Sequence, residues 1–408
     1  MRIRSTGLAL LAGLSIFVAA CTGTGASSAP SAVASSAASS AASSAPSTAG
    51  GSPSAGGSTA PKSTLKIGVV TDVGTVNDKN FNEFTFVGAQ QGAAAIGADP
   101  PPVVVPTSAS DYAPLIQAFV DQKFDVIVAT GFNLVPATAA AAKANPNIWF
   151  IGVDHAPCIN AKGDYDPTFK DCSGDVATLL PNYIAINYAE DQAGYLAGIV
   201  AASATKSKII GAIGGVSLCG PCVRYIQGYA LGAKSVDPTI KVKTAFVSAS
   251  DFKLGFANQG AGKTFGDQFI KQNAGLDVLF QVAGLTGNGV IDAACAAKIN
   301  AIGVDVDEHQ SYPASTACII TSAEKHLAVS VSNSIKAIAD KSAKAGLTFF
   351  NATNDGIGVS PFYDAASKLP ADIQTKIDAA IAGMKAGTVV TCPPKPECGK
   401  TPAPKIGD

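Results

Sequence analysis

The feature that most narrows the fold is an alternation, sustained from Leu65 almost to the C-terminus, of short β-branched apolar runs with longer Ala- and Gly-rich stretches. Lys66–Val73 (KIGVVTDV) is the kind of run that is buried on both faces of a parallel sheet, and the stretch after it, Asn82–Ile96, reads as a helix. Strands follow at Pro102–Pro106, Asp125–Thr130 and Trp149–Asp154, with helices at Tyr112–Gln122 and Pro136–Ala144 between them. Beyond a cysteine-bearing loop comes a helix at Ala189–Ala204, then strands at Lys208–Gly214, Val242–Val247, Val278–Val282, Ala301–Val306, Ile319–Ser322 and Ile357–Ser360. The intervening helices are predicted at Val223–Val236, Lys253–Asn273, Asn288–Lys298 and His326–Lys344, with a last one at Ala371–Gly387. Repeated β–α units impose right-handed crossovers and parallel sheets covered by helices. About ten strands are more than one ordinary sheet holds, so the expected architecture is α/β with two doubly wound parallel-sheet lobes.

The segment before Leu65 reads as an address. Arg2 and Arg4 precede an apolar run, Gly7–Ala20, that is too short for a permanent membrane span and suits a secretion signal. Its end, Val18-Ala19-Ala20-Cys21, resembles a bacterial lipobox, which makes residues 1–20 a signal peptide and Cys21 the lipidated N-terminus. Residues 22–64 contain only Ser, Ala, Gly, Thr and Pro apart from Val33 and Lys62. Such a composition cannot offset ordering entropy, so residues 21–64 are expected to be a disordered tether reaching about 35–40 Å from an extracytoplasmic membrane surface. The rest of the chain has no apolar run of spanning length, so its membrane contact is expected through the lipid anchor.

Charge excludes one class of partner. Three of the 29 basic residues precede Leu65, leaving 26 against 30 acidic and a net charge of −4 on the remainder. A nucleic-acid binder needs a basic field to neutralise phosphates, so no nucleic-acid partner is expected. After Cys21, eight cysteines remain, an even number in an exported chain, which points to disulfides. Proximity favours Cys158–Cys172, Cys219–Cys222 and Cys392–Cys398, which leaves Cys295 with Cys318.

Ligand sites in open α/β sheets lie at the carboxyl ends of strands. Several expected strands end in polar or flexible residues: Asp72-Val73-Gly74, Thr130-Gly131-Phe132, Asp154-His155, Ser248-Ala249-Ser250, Ala283-Gly284 and Asp305-Val306-Asp307. Each Asp taken singly could be a helix cap, but together they favour one cleft between facing lobes. Other chemistry finds less support. Cys219-Gly220-Pro221-Cys222 has the thioredoxin-type spacing between a strand and a helix, which makes a thiol–disulfide oxidoreductase the principal alternative. Against it, the residue before the motif is Leu218 rather than an aromatic, and a local disulfide stiffening a loop also explains the pair. Ala257–Thr264 matches a loose phosphate-loop pattern, but it falls inside a helical stretch without the preceding strand. His155, His309 and His326 lack zinc spacing, and no G-x-S-x-G elbow is present, so neither metal site, cofactor nor enzymatic activity is expected.

An ordered set of segments resembles the basic membrane protein (PnrA-like) family of substrate-binding lipoproteins. Thr71–Ala93 (TDVGTVNDKNFNEFTFVGAQQGA) is similar to its opening signature, and Asn187–Ala202 (NYAEDQAGYLAGIVAA) to the helix that opens its second lobe. IGAIGGVS with the downstream GYALGAKSVDPTIKV, LDVLFQVAGLTGNGVIDAA, Ile302–Asp307 (IGVDVD) and Ile320–Lys325 (ITSAEK) follow in the family's order, so that the likeness covers about Leu65 to Phe362.

The resemblance implies a type I periplasmic-binding-protein fold, with two lobes joined by three crossovers, and a purine nucleoside held between them for an ABC permease. Lobe one would comprise residues 65–186 plus about 306–346, lobe two residues 187–305 plus about 347–390, and residues 391–408 a Pro-rich tail. By the same resemblance, Asp72 would bond the base, Phe81 would stack on it, and Phe252 would add an aromatic wall. Asp305, at the hinge, would take ribose hydroxyls with Lys325 nearby. Gly284 would admit the ligand to the backbone, and Asp154, Asn82 and Phe132 complete the candidate set. The physical chemistry agrees: a base offers π faces to an aromatic, and a buried carboxylate needs a cation such as Lys325. A ligand sensor without transport is a further alternative. Three positions depart from the family pattern: Asn80 stands for its usual Ser, Leu254 for an Asp and Glu308 for a Gln. The cysteine-bearing insertions are likewise outside it.

Overall fold

The computed structural model describes residues 62–407. The secretion signal, the anchor at Cys21 and nearly all of the tether lie outside the described residues. The described residues form twelve strands in two six-stranded sheets. In order, the first part runs β1 (Ile67–Val70), α1 (Phe81–Ala95), β2 (Val103–Val104), α2 (Tyr112–Asp121), β3 (Val126–Thr130), α3 (Val135–Ala144), β4 (Trp149–Val153), α4 (Val176–Leu179) and β5 (Tyr183–Tyr188). The chain then crosses to α5 (Glu190–Ala204), β6 (Ile209–Val216), α6 (Gly220–Val236), β7 (Lys241–Ser248), α7 (Phe252–Phe256), α8 (Gln259–Gln272), β8 (Val278–Val282), α9 (Gly284–Ala296), β9 (Asn300–Asp305), α10 (Glu308–Ser311) and β10 (Ile319–Lys325). It returns for α11 (Leu327–Ala339) and β11 (Gly346–Phe350), and crosses a last time to β12 (Ile357–Val359) and α12 (Ile373–Lys385).

Sheet one has the order β11-β5-β4-β3-β1-β2 and sheet two β12-β10-β9-β8-β6-β7. All pairings are parallel except β10 with β12. The central strands β1, β3 and β8 are buried along their whole length, which is why they read as continuous apolar runs rather than as alternations.

Strand pairing moves three of the expected lobe boundaries: Asn187 and Tyr188 close β5 of sheet one, so lobe one runs past residue 186. β10 lies beside β9, with Glu324 opposite Asp305, so residues 306–325 belong to lobe two and the crossover falls between Lys325 and Leu327. β11 lies beside β5, with Phe350 opposite Tyr188, so residues 347–350 belong to lobe one. Asp305 therefore ends a strand of lobe two and is not at the hinge. β5 and β11 were absent from the expected strands, because their pairing is non-local and the sequence around Asn187 reads as the beginning of the following helix. The expected helix at Lys253–Asn273 is two helices, and Asn258 starts the second by accepting the Ala261 N–H at 2.9 Å.

The low charge of the body has a packing counterpart. α5 and α6 meet through small residues: a Cβ on Gly194 would lie 2.1 Å from the Tyr225 carbonyl oxygen, and one on Gly228 2.0 Å from that of Asp191. Only glycine permits that approach. The same packing disposes of the phosphate-loop pattern, in which Gly262 is pressed against the Thr286 carbonyl. The cysteines pair as Cys158–Cys172, Cys219–Cys222, Cys295–Cys318 and Cys392–Cys398.

Candidate functional site

The carboxyl ends of β1, β3, β4, β8, β9 and β10 converge with the first turns of α1, α6 and α7 on one cleft. Every candidate ligand residue lines it: Asp72, Phe81, Asn82, Phe132, Asp154, Phe252, Gly284, Asp305 and Lys325. Asp154 and Asp305 both follow or end their strands with left-handed backbone, φ 60° and 64°. Asp tolerates this region better than bulkier residues, and the sharp turn comes where each chain leaves its sheet.

Lys325 is the electrostatic centre. Its side chain is 2% exposed, and Nζ lies 2.6 Å from Asp154 Oδ2, 3.4 Å from Glu190 Oε1 and 3.5 Å from Asp305 Oδ1. Nζ is also 5.4 Å from the ring centroids of Phe81, Tyr188 and Tyr225, so aromatic faces complete its cage. Glu190 in turn accepts from Arg224 Nε at 2.6 Å, and Asp305 from the Tyr225 hydroxyl at 3.0 Å. Three carboxylates thus share two cations. Burial pushes the Asp154 carboxyl up to about 7 despite Lys325. Burial also raises Asp305 against the pull of Lys325 and Tyr225. For Glu190, burial is outweighed by Arg224 and Lys325, which together hold it below the ordinary range. The three carboxylates together hold Lys325 firmly protonated against its burial.

Asp72 is held from lobe one. Its Oδ1 accepts from the Tyr112 hydroxyl and, at 2.7 Å, from the Val73 N–H, while Oδ2 accepts from Asn133 Nδ2 at 3.3 Å. Its own N–H donates to Asn82 Oδ1 at 3.1 Å. Burial raises its pKa, and these donors act in the opposite direction. Gly131, with φ 97°, must stay small, since a Cβ there would lie 2.5 Å from Asp72 Oδ2. The aromatic part of the cleft spans both lobes: the Phe132 and Phe252 rings are 5.8 Å apart, and Phe252 stacks with Phe256 at 6.2 Å.

Several groups in the cleft or supporting it from behind were not among the candidates. Asp78 is buried and accepts the N–H groups of Asn80, Asn82 and Glu83 at 2.9–3.0 Å, which fixes the start of α1 and hence Phe81. Burial raises its carboxyl to about 6. Glu190, Arg224 and Tyr225 also escaped, although one signal was present: Arg224 is the only arginine after Arg4. Tyr112 and Asn133 carried no such signal. His155, next to Asp154, is a core group: it contacts the Tyr183 hydroxyl and, at 3.0 Å, the Gly131 carbonyl, and burial pushes it down to about 3.

The arrangement can hold a small, largely neutral molecule between aromatic faces and fixed polar groups. It resembles known binding proteins. The PnrA-like family of ABC transporter substrate-binding proteins matches residues 65–382. The ABC transporter nucleoside-binding protein BmpA of Lactococcus lactis is 32% identical over 266 residues, which is 62% of this chain and 68% of that one. Basic membrane protein A1 of Borrelia garinii is 26% identical over 64% of this chain and 68% of its own. In fold, the chain resembles the solute-binding protein of an ABC transporter from Aeropyrum pernix K1, with a TM-score of 0.61 and 22% identity over 80% of this chain and 87% of that one. Among the described residues no helix is long and apolar enough to cross a membrane. With a family match over most of its length and the two-sheet fold around an interlobe cleft, the chain belongs to the PnrA-like family of ABC transporter substrate-binding proteins.

Proposed function

We propose that the protein captures a purine nucleoside between its lobes and passes it to an ABC permease, from a lipid anchor at Cys21 on the extracytoplasmic face of the membrane. The observation that carries the reading is the junction of Phe81 with the Lys325 network: an aromatic face stands 5.4 Å from an ammonium that is itself 3.5 Å from Asp305. A nucleoside has a π-faced base joined to a vicinal diol, and this juxtaposition offers a partner to each. Phe81 and Phe252 stack on the base and Asp72 accepts from its polar edge. Asp305 accepts ribose hydroxyls, with Lys325 holding its charge. Gly284, in left-handed backbone at φ 52°, brings main chain to the ligand.

Lobe one supplies Asp72, Phe81, Asn82, Phe132 and Asp154; lobe two supplies Phe252, Gly284, Asp305 and Lys325. A ligand touching both sets favours the closed state, and only such differential contact can drive closure. The name of the Lactococcus lactis relative agrees with this substrate class. The mildly acidic body has no field to concentrate anions, which suits a nucleoside better than a nucleotide.

Calorimetry with adenosine, guanosine and inosine tests the reading. Binding of at least one is expected, weakened about 5- to 150-fold by Phe81→Ala, in line with roughly 1–3 kcal/mol per stacked base. If no purine nucleoside binds, the substrate assignment fails.

A further inference from the structure

Ligand capture leaves one sequence motif unused, Cys219-Gly220-Pro221-Cys222. Its cysteines form a disulfide at the start of α6, and both line the ligand cleft together with Phe252 and Asp305. They are buried, at 2% and 5% exposure. Cys219 caps the helix, its Sγ accepting the Cys222 N–H at 3.1 Å. The residues that follow are Arg224, which donates to Glu190, and Tyr225, which donates to Asp305. Covalent closure of the motif, the Tyr225 hydroxyl that orients Asp305 in the cleft and the Arg224 that holds Glu190 behind it therefore share the first turns of one helix.

The loop has two sides. An adjoining groove, which shares Phe132, Asp154 and Pro221 with the cleft, is lined by Leu218, Gly220 and Arg224, and the two cysteines are not among its lining residues. The loop is also held from behind by the C-terminal segment: the Ala403 N–H donates to the Ser217 carbonyl at 2.8 Å, and the Gln227 side chain binds the Glu397 carbonyl and the Gly399 N–H, each at 2.8 Å. That segment is closed by its own disulfide, Cys392–Cys398. With the outer side fixed, a chemical change at the two sulfurs is felt in the cleft.

We propose that the Cys219–Cys222 disulfide is a redox-modifiable wall of the ligand cleft, so that its reduction by a small dithiol and occupancy of the cleft by ligand are thermodynamically linked. The proposal rests on the reading that this cleft is the ligand site. In the reaction, a thiolate of the dithiol attacks one motif sulfur and forms a mixed disulfide, and the other motif sulfur leaves as a thiolate that takes a proton. The reagent's second thiol then displaces the first cysteine. The reagent departs as a cyclic disulfide, and two electrons and two protons have passed to the protein. Reduction removes the covalent tie at the helix cap and places two ionisable thiols in a cleft already lined by Asp72, Asp78, Asp154 and Asp305. By reciprocity, the factor by which reduction weakens ligand binding is the factor by which ligand stabilises the disulfide. Closure also hides the sulfurs from the reagent.

The test uses the oxidised chain with dithiothreitol. Thiols released at Cys219 and Cys222 are alkylated and counted by mass spectrometry, with Cys158–Cys172, which does not line the cleft, as the internal reference. Calorimetry identifies which of adenosine, guanosine and inosine binds, and a failure there concerns the nucleoside assignment alone. A saturating nucleoside is expected to raise the dithiothreitol concentration that half-reduces Cys219–Cys222 at equilibrium about fivefold or more relative to the reference, and the Cys219→Ser/Cys222→Ser variant to bind more weakly by a similar factor. Independently of any nucleoside, Asn80→Ala removes two interlobe hydrogen bonds, to the Val304 carbonyl and to Glu308, and is expected to speed reduction of Cys219–Cys222 but not of the reference. Unchanged protection by a nucleoside that binds, with affinity of the double variant within about twofold of the parent, overturns the proposal. If no nucleoside binds, an unchanged rate in Asn80→Ala overturns it.

Discussion

Asn80 Nδ2 donates to Glu308 Oε1 at 2.7 Å, joining the residue before α1 in lobe one to the first residue of α10 in lobe two. Both residues are fully buried. These are two of the positions at which the chain departs from the family pattern, and the structure places the departures in contact. Asn80 Nδ2 also donates to the Val304 carbonyl at 3.0 Å, which fixes the orientation of the amide. Glu308 further accepts from Gln281 Nε2 at 2.8 Å and from the Val304 N–H at 3.3 Å, so each of these neighbours presents a donor.

That geometry predicts strong coupling. Above about pH 8, where Glu308 is ionised, Glu308→Gln turns an N–H donor towards donors and leaves one of them unpaired, at a cost of about 1–3 kcal/mol. Asn80→Ser releases a donor and shortens the side chain. The Asn80→Ser/Glu308→Gln double variant is expected to cost clearly less than the two singles added together, as read by denaturant unfolding of all four proteins. Strict additivity would show that the two residues do not act as a pair.

The same pair predicts a pH dependence. Burial, with no cation in contact, pushes the Glu308 carboxyl from 4.5 up to about 8, even though Gln281 and Asn80 donate to it. A group whose folded pKa is raised holds its proton in the folded state while the unfolded chain has lost it, so stability falls as pH rises between the two values. Asp154 adds to this up to about 7, whereas His155, held neutral by burial at about 3, acts in the opposite direction below 6.5. The interval from pH 7 to 8 therefore isolates Glu308 best. The parent should lose up to about 1.4 kcal/mol per pH unit there, and Glu308→Gln should flatten the slope. A parent whose unfolding free energy is constant over that interval contradicts the expectation.

Lys325→Met leaves Asp154, Glu190 and Asp305 with Arg224 as their nearest cation. Removing one partner from a buried ionic cluster costs about 3–5 kcal/mol, because charges remain buried without compensation. The variant is expected to unfold at markedly lower denaturant concentration and to lose ligand binding in calorimetry. Destabilisation below about 1 kcal/mol would mean that water or a neighbouring group replaces the ammonium.

Gly194→Ala probes how remote packing sets the site. Its methyl group would meet the Tyr225 carbonyl at 2.1 Å, so α6 must move away from α5. Overpacking of this kind costs about 1–3 kcal/mol. Because Tyr225 and Arg224 ride on α6, ligand affinity should fall together with stability, although Gly194 does not line the cleft. Stability loss with unchanged affinity would uncouple the helix pair from the site.

Much of the cleft was legible because a strand end is a local event. Asp72, Asp154, Gly284 and Asp305 each stand where an apolar run gives way to polar residues, and that transition is visible in the chain itself. Glu190, Arg224 and Glu308 were not legible as site residues. Each lies inside or at the start of a helix, where a charged residue ordinarily faces water, and only the packing of α5, α6 and α10 against the strands carries them inward. The same limit explains β5 and β11, whose parallel pairing is closed by segments distant in sequence.

The sequence by itself determined the α/β architecture, the two-lobe plan and the convergence of strand ends on a cleft, because apolar periodicity and turn chemistry act over a few residues at a time, and its ordered motifs carried the family likeness. Tertiary structure alone decided which sheet receives β10 and β11, and so where the chain crosses between lobes. It also brought Lys325 within reach of three carboxylates, set the Cys219–Cys222 disulfide into the cleft wall and joined Asn80 to Glu308. These are contacts between residues up to 228 positions apart. Their energies depend on burial and on which donors meet which acceptors, and neither exists until the two sheets have folded around a common cleft.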